Sequence, residues 1–142
     1  MAEHYRKLEN LYHSAPINEY YAPTLRVLEG AAELVFRVEP KMHHAAHAAH
    51  GSVCFKALDD AAFFAANSLV TDVFVLTTSF TLYLLRPVSD GIIKARGHVS
   101  HQTRRLILAE SVLEDEKGNQ VARGSGTFLK SKIPLTPEVG YL

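Results

Sequence analysis

Between His43 and Ser68 a histidine-rich loop, HHAAHAAHGS, runs into an apolar, alanine-rich segment that carries two adjacent acids, Asp59 and Asp60. Withdrawing a lone carboxylate from water costs several kcal/mol, so a buried acid is normally paired, neutralised or used. If the segment is a helix, Asp59 has Phe55, Ala62, Phe63 and Ala66 as its neighbours, whereas Asp60 has Lys56 one turn earlier. Asp60 therefore reads as a paired or solvated acid. Asp59 is the catalytic candidate, either as a general base toward water or as a nucleophile toward a carbonyl carbon. Gly51 stands where the helix begins; a free backbone N–H there can approach a carbonyl oxygen and receive its developing negative charge. Ser52, next to it, is a candidate substrate contact.

The spacing of these groups carries a geometric consequence. Eight residues separate Gly51 from Asp59, which is about 12 Å along a helix axis. One helix cannot bring both groups to one carbonyl. If both serve one site, Asp59 comes from the roughly antiparallel helix of a second copy, giving two equivalent sites across an isologous interface. Two other chemistries are open to the same stretch. His43, His44, His47 and His50 can form a zinc site only if the loop folds back on itself; the plainer reading is a polar loop lining a cleft, with His50 fixing it through a hydrogen bond. Cys54 lies at i, i+4 from His50, but a cysteine in a small-residue helical row reads as core.

The elements that must position these residues are legible from periodicity. Tyr5, Leu8, Leu11 and Tyr12 fall at helical spacing in an N-terminal helix on the outside of the fold, stopped at Ser14-Ala15-Pro16. Leu25 to Leu28, Glu29-Gly30, then Leu34 to Val38 read as a hairpin leading into a loop at Pro40. From Val53 to about Leu69 one row holds Val53, Ala57, Ala61 and Ala65, with Cys54, Leu58 and Ala62 beside it; this helix is apolar nearly all round and its alanines admit a closely packed sheet. Four strands follow, Phe74 to Leu85, Ile92 to Ser100, Leu106 to Leu113 and Gln120 to Leu129, with a hairpin turn over Asp115 to Asn119. The order implies an α+β fold, one sheet around one long helix. We expect a single domain over residues 1–142, with residues 1–24 as N-terminal helix and loop and 130–142 as a tail.

Composition narrows the function. The 15 basic and 15 acidic residues cancel, so nothing suggests a nucleic-acid footprint or an anionic membrane surface. A single cysteine excludes an internal disulfide. There is no signal-like segment and no run of 18 apolar residues, so a soluble, cytoplasmic protein is expected.

The His50-Gly51-Ser52 turn, Asp59 nine positions after His50, Asn67-Ser68 at the helix end, Leu85-Arg86-Pro87 closing the next strand, and Gly118 to Phe128 resemble the PaaI-like hotdog thioesterases of phenylacetate degradation. The resemblance covers roughly residues 25 to 130. It implies a hotdog fold with an antiparallel sheet wrapped around the central helix, a homodimer often paired into a homotetramer, and hydrolysis of acyl-CoA thioesters with neither metal nor organic cofactor. It also points to Asp59. Thr77 matches a position where related enzymes place a hydroxyl near the acid, with Thr78, Ser79 and Thr81 close enough to compete. The position six before the histidine of H-G often carries an asparagine that orients water or the substrate carbonyl, and here it is His44. Glycine is common within this loop, where His47 stands. Arg86, Arg104 and Arg105 are candidates to hold the CoA phosphates, with Lys130 and Lys132 behind them. The alternative is a non-catalytic acyl-CoA binding or regulatory domain; the D-x-N-P segment of hotdog hydratases is absent.

Overall fold

The computed structural model describes residues 1–142. Its core is helix α3 (Gly51–Asn67), cradled by six antiparallel strands: β1 (Thr24–Leu28), β2 (Ala31–Val38), β3 (Val73–Leu84), β4 (Gly91–Gln102), β5 (Leu106–Glu114) and β6 (Gln120–Pro134). They lie in the order β1-β2-β4-β5-β6-β3. This is the expected α+β hotdog arrangement. Two helices precede the sheet, α1 (Ala2–Ser14) and the single-turn α2 (Asn18–Tyr21).

The small residues of α3 explain its place. Ala57, Leu58, Ala61, Ala62, Ala65 and Ala66 are fully or almost fully buried. A Cβ on Gly97 of β4 would collide with the backbone carbonyl of Ala61, so glycine on the strand and alanine on the helix together set how closely the two backbones approach. Ser111 of β5 donates to the Leu58 carbonyl at 2.8 Å, pinning the middle of the helix to the sheet. At the helix end Asn67 is fully buried and fully used: its Nδ2 donates to the Val70 and Val73 carbonyls, and its Oδ1 accepts the Val75 N–H at 2.9 Å. These bonds fix where β3 begins relative to α3, and so where Thr77 stands two residues later.

The C-terminal segment departs from expectation. Residues 130–142 are not a free tail: β6 continues to Pro134 beside β3, with Val75 opposite Lys130 and Val73 opposite Pro134. Beyond Leu129 it has no β5 partner, so its polar residues and a proline lie at a sheet margin where an unpaired side is tolerated. The last residues return to α1. Tyr141 Oη lies 2.7 Å from Nδ1 of buried His4, whose Nε2 reaches the Asn67 carbonyl at 3.0 Å.

Strand β3 forms one edge of the sheet and is twelve residues long. It carries exposed Leu76, Tyr83 and Leu84. Phe80 lies over β6 where Gly124 and Gly126 leave room, since a Cβ on either would come within 2.6 Å of its ring. No helix is long and apolar enough to cross a membrane.

Candidate active site

The loop before α3 is held by its backbone. His44 N–H donates to Ala48 O, Ala49 N–H to Val88 O, and His50 N–H to Met42 O, all at 2.8–2.9 Å. His47 sits at φ 65°, in the left-handed region that disfavours a side chain by about 1–2 kcal/mol. That strain falls in the loop where the family resemblance implied a glycine. His50 caps α3: its Nδ1 accepts the Ser52 N–H at 3.0 Å and lies 2.9 Å from Ser52 Oγ. Ser52 is thereby drawn into the cap.

The four loop histidines do not converge. His43 Nε2 reaches the Ser89 carbonyl, His44 Nδ1 accepts the Ala46 N–H at 3.0 Å, His50 caps the helix, and no cluster of three or more potential metal ligands is formed.

Gly51, the first residue of α3, has an N–H that no group of the chain accepts. It opens on a cleft of about 280 Å³ lined by His44, Cys54, Leu84, Arg86 and Val88 among others. The Cys54 thiol is raised by burial, as a core cysteine is. Because His44 Nδ1 accepts a backbone N–H, its neutral ring carries the proton on Nε2 and presents it as a donor.

Asp59 lies two turns further along, toward β3. Thr77 Oγ1 donates to its Oδ1 at 2.9 Å, while Thr78 and Ser79 hydrogen-bond instead to Thr127. Burial pushes the Asp59 carboxyl up to about 6, opposed by the Thr77 hydroxyl and Lys56 and reinforced by the charge of Asp60. Asp60 turns the other way, toward α1 and α2. Its Oδ2 takes Lys56 Nζ at 2.6 Å, the expected i, i+4 pair, and also the Tyr12 hydroxyl at 2.6 Å. The Tyr12 contact was invisible in the sequence because it spans 48 positions.

Phe55 lies between Gly51 and Asp59 on the same stripe of the helix, 38 % exposed, with its ring edge-on to Phe80 at 5.5 Å. Phe64 packs edge-on against Tyr12 and belongs to the core.

Gly51 and Asp59, the two candidate groups, are separated within one chain. A Cβ on Gly51 would lie 3.1 Å from Leu84, while Asp59 meets Thr77. Arg86 borders the Gly51 cleft. Arg104 and Arg105 lie in the β4–β5 turn at the opposite end of the strands, where Leu106 pairs with Leu129, near Leu76.

The sequence profile of the thioesterase superfamily matches residues 46–122, from the loop through the start of β6. The chain belongs to this superfamily. No curated protein matches it in sequence. Among solved structures it is similar to the Escherichia coli PaaI protein from the phenylacetic acid degradation operon, at TM-score 0.86 and 19% identity over 95% of this chain and 98% of that one. A variant of the phenylacetic acid degradation protein PaaI from Thermus thermophilus matches at TM-score 0.75 and 22% identity, covering 82% of this chain and 100% of the other. At these identities the likeness carries the thioesterase-superfamily fold.

Proposed function

We propose that this protein is an acyl-CoA thioesterase, hydrolysing a thioester to free acid and CoA in two sites shared by a homodimer. The observation that carries the reading is the pairing of an unclaimed Gly51 N–H at a cleft with a buried, Thr77-bonded Asp59 on the same helix, within a chain of the thioesterase superfamily.

In this reading the substrate carbonyl oxygen lies on the Gly51 N–H, with His44 Nε2–H as a second donor, and Asp59 arrives from the partner subunit. Asp59 is ionised at neutral pH, and a carboxyl near 6 suits proton transfer there. As a base it takes a proton from water while the water oxygen bonds to the carbonyl carbon. The oxyanion forms on the donors; its collapse breaks the C–S bond, and the leaving thiolate takes the proton from Asp59. As a nucleophile, an Asp59 oxygen instead bonds to the carbonyl carbon and expels the thiolate, giving a mixed anhydride that water opens. Thr77 orients the carboxylate in both routes. Trapping with hydroxylamine or borohydride distinguishes them, since only the nucleophile route forms an Asp59 anhydride that these reagents can capture or reduce.

The dimer geometry follows from the helix. If Gly51 faces Asp59 of the partner subunit, the residue midway between them, Phe55, faces its own copy at the two-fold axis. On β3 the corresponding contacts are Leu84 and Thr77, whose midpoint falls between Phe80 and Thr81. Phe55 touches Phe80, so the helix and the strand point to the same position for the axis. The free β3 edge and the exposed Phe55, Leu76 and Leu84 fit burial against a second copy. The same rotation carries the partner's Arg104 and Arg105 toward the Gly51 and Arg86 end, where CoA phosphates would lie.

The test is thiol release from short, medium, long and aryl-acetyl CoA esters by the wild type and Asp59→Asn. Turnover by the wild type that is lost in a folded Asp59→Asn dimer supports the reading and identifies the acyl class. Tight ester binding by the wild type without turnover would replace it with a non-catalytic binding domain.

A further inference from the structure

Asp60 is not explained by the chemistry above, yet it is held by two partners in a largely buried position. Its Oδ2 receives Lys56 Nζ and the Tyr12 hydroxyl, both at 2.6 Å. Lys56 also donates to Asn18 Oδ1 at 2.7 Å, and Asn18 Nδ2 returns a bond to the Tyr12 carbonyl at 2.7 Å. The Lys56 ammonium lies 5.1 Å from the Tyr12 ring centroid and 5.2 Å from that of Tyr21. The result is a closed polar unit of α1, α2 and α3 residues, with only 14% and 15% of the Lys56 and Asp60 side chains exposed.

Such a unit is an expensive way to hold helices together. A buried ion pair loses the hydration of both charges, and a well-packed apolar substitute often stabilises as much or more. An apolar pair here would still let Tyr12 pack on Phe64. What it would not supply is a carboxylate on the residue next to Asp59: burial raises the Asp60 carboxyl, and Lys56 and the Tyr12 hydroxyl oppose that rise and favour its charged form. The groups bearing on Asp59 are Thr77 from β3, Asp60 and Lys56 from its own helix, and the Tyr12 phenol from α1. Of the two neighbouring charges, Asp60 weighs more than Lys56, so the pair's net effect is to favour the protonated form.

We propose that Lys56 and Asp60, locked by Tyr12 and Asn18, form a positioning unit that holds a charge beside Asp59 and so sets the pH range over which Asp59 acts. This rests on the reading of Asp59 as the site's acid. It assigns the N-terminal helices a part in the chemistry although neither lines the cleft at Gly51.

The experiment compares full-length wild type with Asp60→Asn and with the double variant Lys56→Met/Asp60→Leu, which replaces the pair by apolar side chains and keeps the site packed. Two readouts are taken: the acid limb of kcat/KM against pH, and the titration of the Asp59 carboxyl carbon by NMR in ¹³C-aspartate-labelled protein, assigned with Asp59→Asn. Removing the Asp60 charge is expected to move both midpoints to lower pH, by about half a unit or more in Asp60→Asn and by less in the double variant, where the opposing Lys56 charge is lost as well. A unit that only tethers the helices would lower Tm and leave the Asp59 midpoint in place; an unchanged or raised midpoint overturns the proposal. The NMR titration needs no turnover, so a protein that hydrolyses none of the esters would refute the thioesterase reading while the Asp60 effect is still measured.

Discussion

Thr77 and Asp59, eighteen positions apart, meet through one hydrogen bond of 2.9 Å that joins the first half of the edge strand to the middle of the buried helix. The bond stabilises the ionised carboxylate against its burial. Removing the hydroxyl with Thr77→Val is expected to raise the acid limb of the pH–rate profile relative to the wild type, and to lower turnover because the carboxylate is freed to rotate. A limb that stays in place would remove Thr77 from the site.

Asp59 also burdens the fold. Its carboxyl is raised from 3.8 to about 6, so between these values the folded chain binds more protons than the unfolded one. The Asp59 contribution to stability is therefore greatest below about pH 4, falls as pH rises to about 6, and is level above, the difference being up to about 3 kcal/mol. Asp59→Asn keeps an acceptor for Thr77 and removes the charge. It should raise Tm at pH 8 while reducing turnover by about a thousandfold or more. Calorimetry at pH 5 and pH 8 checks the sign.

Gly51 permits the N–H to be separated from the side chain. Proline is well accepted at the first helical position, and His50 before it already has the extended φ −60°, ψ 147° that a following proline requires. Gly51→Pro deletes the donor and retains the helix; Gly51→Ala retains the donor and presses a methyl on Leu84, whose tip can move. A loss of kcat of about a hundredfold or more in the proline variant, against a smaller loss in the alanine variant, is the expected pattern. Equal losses would assign the effect to crowding of the cleft.

Under the proposed shared sites, two inactive chains complement each other: Asp59→Asn and Gly51→Pro are each expected to lose activity as homodimers, while their heterodimer would contain one site with both groups intact. Unfolding and refolding an equal mixture should restore about a quarter of wild-type activity. No recovery, with heterodimers demonstrated by mass spectrometry, would place both groups in one protomer or separate them altogether.

The position of the axis is tested by cross-linking. In a Cys54→Ser background, Phe55→Cys should couple to its own copy with a short bis-maleimide more readily than Ser52→Cys, whose copies would stand about 9 Å further apart along the axis. A stronger link at Ser52 would move the axis.

What the sequence conveyed follows how local each signal was. The helix stripe bearing Gly51, Phe55 and Asp59 repeats every four residues, and the Lys56–Asp60 pair needs only one turn, so both are legible in the sequence. The long-range contacts were not: Tyr12 meets Asp60 across 48 positions, and Asn67 joins the helix end to β3 through three hydrogen bonds of its own side chain. Residues 130–134 read as tail because lysines, serine and proline resemble loop composition, and only the sheet order shows that they line a margin beyond β5. Likewise nothing in their types shows that Arg104 and Arg105 lie at the far end of the strands from Arg86.

Strand β3 offers twelve residues of open edge with apolar side chains exposed, and nothing in the chain covers it. Edges of this kind invite pairing with whatever strand arrives first. Under the proposed dimer, a newly made chain that has met no copy of itself would be exposed to aggregation, and assembly would become a race decided by how much of the protein is present. On that reading abundance and soundness would be one quantity: a cell that makes too little would lose the protein faster than synthesis alone predicts.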